Sequence, residues 1–325
     1  MKGIILAGGN ATRIKPITDV LSKQILPVYD KPMIYYPLSV LMLAGIKDIL
    51  LISTPEFTPL FKKLLGDGEQ FGIKIAYEIQ EEANGLAQAF IIGEEFINGE
   101  PCVLILGDNI LWGERLEGKL KKAVKNVEEG FATVFSRQVD NPEAFGVAKY
   151  NEKTGIVSKL VEKPKSYVSH KAVIGLYFYD TKVCDLAKIL SPSERGELEI
   201  TDLNKKYVEE KSLKAIPLEK EDFEWFDAGS FDGLLEASQT VSVKQQSGIM
   251  IAMPEEIAIK KGWISYEKLF EIAQKYEKSN YGIYLKKIAE EQKAACLMKA
   301  AEKKKTDNKK EKDYTEPDLF DALNN

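Results

Sequence analysis

The sequence predicts an α/β fold: a mixed, mainly parallel sheet flanked by helices, with an added antiparallel part and helices towards the C-terminus. Three observations predict it. Short apolar runs alternate with helical stretches up to about residue 110, which is the pattern of βαβ units and a parallel sheet. From about residue 131, strand-like runs follow one another across short turns. Beyond residue 230 the pattern is mainly helical.

Residues 3–7 are a continuous apolar run ended by Gly8 and Gly9, which reads as a buried parallel strand. Residues 33–45 read as a helix, with Pro37 near its first turn and Gly45 closing it. Strands follow at 48–53 and 73–79, with a helical pattern at 57–65 between them. Residues 85–97 read as helix, and 102–106 as a fourth strand ending on Gly107-Asp108-Asn109. Ligands gather at the carboxyl ends of strands in such sheets. Gly8-Gly9 and Gly107-Asp108 both lie at such ends, so they are expected close in space.

Runs at 131–137, 145–150, 156–161 and 172–179 build the antiparallel part. Helices at 181–190 and 199–210 and a strand at 213–218 complete a core assigned to residues 1–230, divided near 130. Residues 231–298 form a helical region, with helices at 231–246 and 266–292. Residues 299–325 carry nearly balanced charge and few apolar groups, which predicts a frayed helix passing into a disordered tail. Its apolar end, residues 318–323, is either an ordinary terminus or a docking peptide.

Composition removes several function classes. A formal net charge of -5 gives no global basic field for nucleic acid, though a local pocket for a small anion stays open. Three scattered cysteines, Cys102, Cys184 and Cys296, predict free thiols in a reducing compartment. With one histidine, His170, zinc coordination and Ser-His-Asp or Cys-His catalysis are disfavoured, and His170 reads as a loop residue. The N-terminal apolar run is too short for a signal peptide and no stretch approaches a membrane span, so the expected location is the cytoplasm.

Chemistry concentrates at the strand ends. Gly8-Gly9-Asn10-Ala11-Thr12-Arg13 follows the first strand. Glycines let successive N–H groups face a phosphate, and Arg13 adds a permanent positive charge. A plain turn explains Gly8-Gly9 but not Arg13. Lys23 could reach the same anion, although a lone lysine is usually just solvated. Asp108 ends a strongly apolar strand, where a carboxylate needs a partner or a cation; Mg²⁺ fits, and capping of a following helix is the bland alternative. Asp227, in Trp225-Phe226-Asp227-Ala228-Gly229, could be a second Mg²⁺ ligand. Glu162-Lys163-Pro164 ends another strand, and Tyr177 either packs or lines a sugar pocket.

Longer stretches tie these motifs together. They include Lys2–Gly9, Ser22–Gln24, Pro27–Ser39, Gly85–Glu94, Leu106–Asn109, Gly175–Asp180, Arg195–Asp202 and Pro254–Ala258. Over about residues 1–290 the chain resembles the glucose-1-phosphate thymidylyltransferases of the sugar nucleotidyltransferase superfamily. The resemblance implies a Rossmann-like core whose later part binds a sugar. It implies that Gly8, Gly9 and Arg13 hold the triphosphate of dTTP and that Lys23 neutralises it. It further implies that Gln24, Gln80 and Gly85 read the base, and that Asp108 and Asp227 hold Mg²⁺. Gly146, Glu162, Val173 and Tyr177 would surround the glucose of glucose 1-phosphate, with Lys163 and Arg195 on its phosphate. A homotetramer, a nucleotide-deoxyhexose inhibitor and a supply of deoxysugar for polysaccharide are also implied. Use of UTP or another sugar 1-phosphate, and a non-catalytic regulatory homologue, stay open beside this reading.

The chain departs from the family pattern in four places. Ala11 stands where the family has glycine in Gly-Gly-x-Gly-Thr-Arg; if the loop takes positive φ there, triphosphate affinity or turnover should fall. Asp-Thr-Gly reads Asp227-Ala228-Gly229, which keeps the carboxylate and loses a hydroxyl. The loop at 165–171 is longer, and the segment past about 293 is extra.

Overall fold

A computed structural model of the chain describes residues 1–9 and 11–314. The described residues divide into two compact units, with the boundary between Ala258 and Ile259.

The first unit is organised by a nine-stranded sheet. β1 (Lys2–Leu6) leads through the small antiparallel pair β2 (Pro27–Val28) and β3 (Lys31–Pro32) to α1 (Tyr35–Leu43). Residues Tyr35–Met42 are all buried, as expected for a helix that is apolar all round. β4 (Asp48–Ser53), α2 (Thr58–Leu65) and β5 (Lys74–Ile79) follow, then α3 (Gln88–Ile92), α4 (Glu94–Ile97) and β6 (Cys102–Leu106). β4 and β6 flank β1 in parallel, and β5 lies outside β4 in the same direction. The chain therefore winds outward from β1 in both directions, and the crevice at the carboxyl ends of β1 and β6 is the reversal point at which such sheets bind ligands.

β7 (Asn109–Trp112), α5 (Leu116–Glu128) and β8 (Ala132–Gln138) come next. β9 (Gly146–Tyr150), β10 (Val157–Glu162) and β11 (Lys171–Tyr179) form the antiparallel addition, and β11 joins it to β6. α6 (Val183–Lys188), α7 (Ile200–Glu209) and β12 (Leu213–Pro217) lead to β13 (Glu224–Asp227), which pairs with β7. α8 (Phe231–Gln246) packs Ala237 and Val241 into a buried cluster with Val28, Met33 and Ile110. Arg137 is buried and donates to the carbonyls of Leu218, Glu219 and Phe223, fixing the segment that enters β13. α9 (Pro254–Lys260) runs across the 258/259 boundary, and within the second unit α10 (Tyr266–Lys275) pairs with α11 (Asn280–Tyr314).

Several boundaries differ from the sequence reading. The helix expected at 85–97 starts at Gln88 and breaks at Gly93. Gly85 has φ +102°, which suits no helix, and a Cβ at Gly93 would stand 2.9 Å from the carbonyl of Ala89. The helix expected at 266–292 is two helices, because Ser279 caps a new start by accepting from the N–H of Gly282. Periodicity assigns nothing to 110–130, where β7 and α5 lie, nor to β13 or α9. α8 belongs to the first unit, so the core extends past the boundary drawn at 230. The charged segment expected to fray from 299 is helical as far as Tyr314; its Ala, Glu and Lys residues are strong helix formers. Asn10 and residues 315–325, with the apolar run 318–323, lie outside the described residues.

Candidate active site

The carboxyl ends of β1 and β6 are joined directly, by a hydrogen bond from the N–H of Gly107 to the carbonyl of Leu6. Gly8-Gly9 and Gly107-Asp108 are therefore neighbours, as the sequence predicts. Beyond Gly9, Ala11 takes φ 39° and ψ 43°, a left-handed conformation, before the 3-10 turn Thr12–Ile14. The Thr18 hydroxyl donates to the Ala11 carbonyl at 2.9 Å and closes this loop.

Four charges meet at the crevice. Lys23, on the 3-10 turn Lys23–Ile25, forms an ion pair with Asp108. Arg13 lies 3.7 Å from Asp227 at the end of β13, and it rests against Gly229, where a Cβ would stand 2.2 Å from its Nη2. Burial opposes the charge of Asp108, but the Lys23 ammonium and the Asn109 amide outweigh it and hold its pKa below the ordinary value. Burial raises the pKa of Asp227, and the charge of Asp108 adds to the shift; Arg13, Lys23 and the Gly229 N–H pull the other way. Two carboxylates, each with a cation against it, are an arrangement that could take up anions and a divalent ion together. Among the described residues no group of three or more His, Cys, Asp or Glu could hold a metal. Two aspartates fit Mg²⁺ nonetheless, because Mg²⁺ is commonly held by one or two carboxylates plus substrate phosphates.

Two glutamines sit behind the loop. Gln24 is buried and accepts from the Ser22 hydroxyl at 2.7 Å. Gln80 is buried just past β5 and donates to Gln88 at 2.7 Å. The Gln80 oxygen lies 2.3 Å from where a Cβ on Gly8 would be, so glycine there is what admits it. Gly85 backs onto the chain at Leu198, where a Cβ would stand 2.4 Å from the carbonyl oxygen.

The antiparallel addition brings up the remaining side chains. Gly146 and Glu162 are partners in the β9–β10 ladder, and the Thr201 hydroxyl donates to Glu162 at 2.6 Å. Lys163 takes φ 41° and places its ammonium 3.9 Å from Glu162. Tyr177 on β11 is buried; desolvation first, then the charges of Glu162 and Asp108, raise its pKa. Val173 is on the same strand, before an irregularity in its pairing with β8. Arg195 is paired with Glu199 at 2.7 Å and Glu197 at 3.5 Å; its hydrogen bond to Glu199 chiefly raises its pKa, and Glu162 adds to the shift.

Sequence reasoning missed the supporting residues. Asn109 is buried, donates to Asp108 Oδ1 at 3.2 Å, and accepts from the N–H of Gly175 at 3.0 Å and Trp225 Nε1 at 2.8 Å. A polar residue continuing an apolar strand was the available signal. Thr18, Ser22, Gln88 and Thr201 carry no such signal, because their roles follow from contacts across the fold. His170 lies on a loop, with Nδ1 3.2 Å from the Val139 carbonyl.

Comparison with known proteins points the same way. The family described as nucleotidyl transferase matches residues 2–245. The chain is 53% identical over 289 residues to a glucose-1-phosphate thymidylyltransferase of Neisseria meningitidis, covering 89% of this chain and 99% of that one. It is 46% identical over 291 residues to one of Mycobacterium tuberculosis, covering 89% and 99%. Among solved structures, a glucose-1-phosphate thymidylyltransferase of Bacillus anthracis in complex with sucrose superposes with a TM-score of 0.67 at 40% identity, covering 74% of this chain and 94% of that one. A UDP-glucose pyrophosphorylase complexed with UDP-glucose gives 0.66 at 25% identity, covering 75% and 98%.

Proposed function

The chain belongs to the nucleotidyl transferase family, and we propose that it transfers the thymidylyl group of dTTP to glucose 1-phosphate, giving dTDP-glucose and pyrophosphate. It is a nucleotidyltransferase, and the observation that carries the finer reading is the four-charge cluster of Arg13, Lys23, Asp108 and Asp227 at the joined ends of β1 and β6.

A phosphate oxygen of glucose 1-phosphate attacks the α-phosphorus of dTTP. The new oxygen–phosphorus bond forms as the bond to the β-phosphate bridging oxygen breaks, and pyrophosphate leaves with that electron pair. The nucleophile is already anionic at neutral pH, so no general base is required and the scarcity of histidine is no obstacle. What must be offset is repulsion between two anions. Gly8, Gly9 and Arg13 hold the triphosphate, Lys23 neutralises it, and Lys163 and Arg195 hold the sugar phosphate. Asp108 and Asp227 would hold Mg²⁺, which when bound supplies positive charge to the phosphate oxygens. Gln24 and Gln80, with the Gly85 backbone, face the base. Gly146, Glu162, Val173 and Tyr177 surround the sugar.

This reading extends to a cytoplasmic homo-oligomer, a tetramer on the family resemblance. No helix among the described residues is long and apolar enough to cross a membrane. Pyrophosphate release measured with dTTP and UTP against several sugar 1-phosphates tests the assignment. dTTP with glucose 1-phosphate should give the highest kcat/KM; a preference for UTP or for another sugar moves the protein to a sister activity, and no turnover with any pair removes the catalytic reading.

A further inference from the structure

Each carboxylate assigned to the metal is already paired with a cation assigned to the triphosphate. Lys23 contacts Asp108 and Arg13 contacts Asp227. The first pair is the more enclosed, with side-chain exposures of 9% for Lys23 and 19% for Asp108. A charge in such a place that lost its partner would be strongly disfavoured, so Lys23 and Asp108 each need a counter-charge at every stage of turnover.

We propose that Lys23, assisted by Arg13, is a stand-in counter-ion for the metal site, so that metal and triphosphate enter together by an exchange of ion-pair partners. This rests on the function proposed above. When the site holds no metal, the ammonium neutralises Asp108. An arriving triphosphate draws Lys23 and Arg13 to its oxygens and releases both carboxylates to a divalent ion. A divalent ion arriving alone must displace Lys23 and then lie beside it with no anion between them. Free metal therefore binds poorly, and metal and nucleotide each raise the other's affinity by the same factor.

The test uses the full chain with Mn²⁺ as a paramagnetic probe, first without nucleotide. Lys23→Met should bind free Mn²⁺ about tenfold more tightly than the parent, within the usual range for coupled sites, while its affinity for dTTP falls. These opposite signs separate the exchange from simple damage to the site. Arg13 is 66% exposed, so Arg13→Gln should fold normally; it should tighten free Mn²⁺ binding by a smaller factor, and it carries the test if Lys23→Met does not fold. Lys163→Met is the control for the general field, since Lys163 lies against Glu162 and not against either aspartate. If Mn²⁺ binding is unchanged or weaker in Lys23→Met and Arg13→Gln, or is tightened equally by Lys163→Met, the exchange is overturned and the metal site stands. If Asp108→Asn with dTTP holds Mn²⁺ as well as the parent does, the metal site is overturned and the exchange falls with it.

Discussion

The side-chain amide of Asn109 donates to Asp108 Oδ1 while its oxygen accepts from both Gly175 and Trp225, so one buried residue ties a site carboxylate to β11 and β13. Asn109→Ala leaves the Gly175 N–H and the Trp225 indole without their acceptor. A buried unsatisfied donor costs about 1–3 kcal/mol, and that loss should appear as a lower urea midpoint. Turnover should fall further than the stability loss explains, because Asp108 also loses its orienting donor. A variant with unchanged turnover would show that Asp108 needs no such support.

Ala11 at φ 39° holds a left-handed backbone that suits glycine better than an L-residue with a side chain. An L-residue in the left-handed region costs roughly 1–2 kcal/mol, whereas glycine loses about 0.5–1 kcal/mol of backbone entropy relative to alanine. The first effect is the larger, so Ala11→Gly should raise the urea midpoint slightly and lower the KM for dTTP. A higher KM would mean that the methyl contributes to binding.

Asp108 and Asp227 should differ in sign when stability is followed against pH. The pKa of Asp108 is lowered in the fold, where Lys23 outweighs burial. Its contribution is present above the ordinary carboxylate pKa of about 3.9 and is lost as pH falls through the folded value. The pKa of Asp227 is raised by burial and by Asp108. Its contribution is present below about 3.9 and is lost as pH rises through the folded value. At neutral pH, Asp108→Asn should therefore destabilise by about 2 kcal/mol, less than for a fully buried pair, while Asp227→Asn should be neutral or stabilising. Equal losses for the two variants would contradict the assignment of these environments.

Loss of Arg13 or of the Asp108 charge should lower kcat by about a hundredfold or more, the scale of removing one electrostatic contact to a developing charge. Circular dichroism should show the Arg13→Ala fold intact. Pyrophosphate release within a few-fold of the parent rate would remove both residues from the mechanism.

Gly8→Ala tests the proposed contact of Gln80 with the base. The added Cβ would stand 2.3 Å from the Gln80 oxygen, and Gln80 cannot swing freely because its amide is held by Gln88. The KM for dTTP should rise by about tenfold, or about 1.4 kcal/mol, with kcat changed much less. An unchanged KM would show that Gln80 does not face the nucleotide.

The alternating first half was legible because its strands are short apolar runs bounded by glycine, and periodicity reports such runs directly. The meeting of Gly8-Gly9 with Gly107-Asp108 was legible too, since parallel sheets gather strand ends. β7 and β13 were not. Each has four residues and pairs with the other in a separate two-stranded sheet, so no local pattern marks them. The charged site residues could be named from the family resemblance, but their crossed pairing could not, because it depends on side chains 85 residues apart for Lys23 and Asp108. Ala11 shows the reverse case: the family's glycine at this position raised positive φ as a condition, and the backbone meets it.

The β7–β13 ribbon sets the spacing of the two aspartates. Asp227 is opposite Asn109 in its ladder, and the N–H of Ala228 reaches the Asp108 carbonyl at 3.3 Å. The separation of the two acids is thus governed by strand register and not by loop length. Inserting or deleting a single residue within Glu224–Asp227 would turn the aspartate to the opposite face of the ribbon. The segments on either side are not held to this register, but these four residues form a ruler whose graduations cannot be moved.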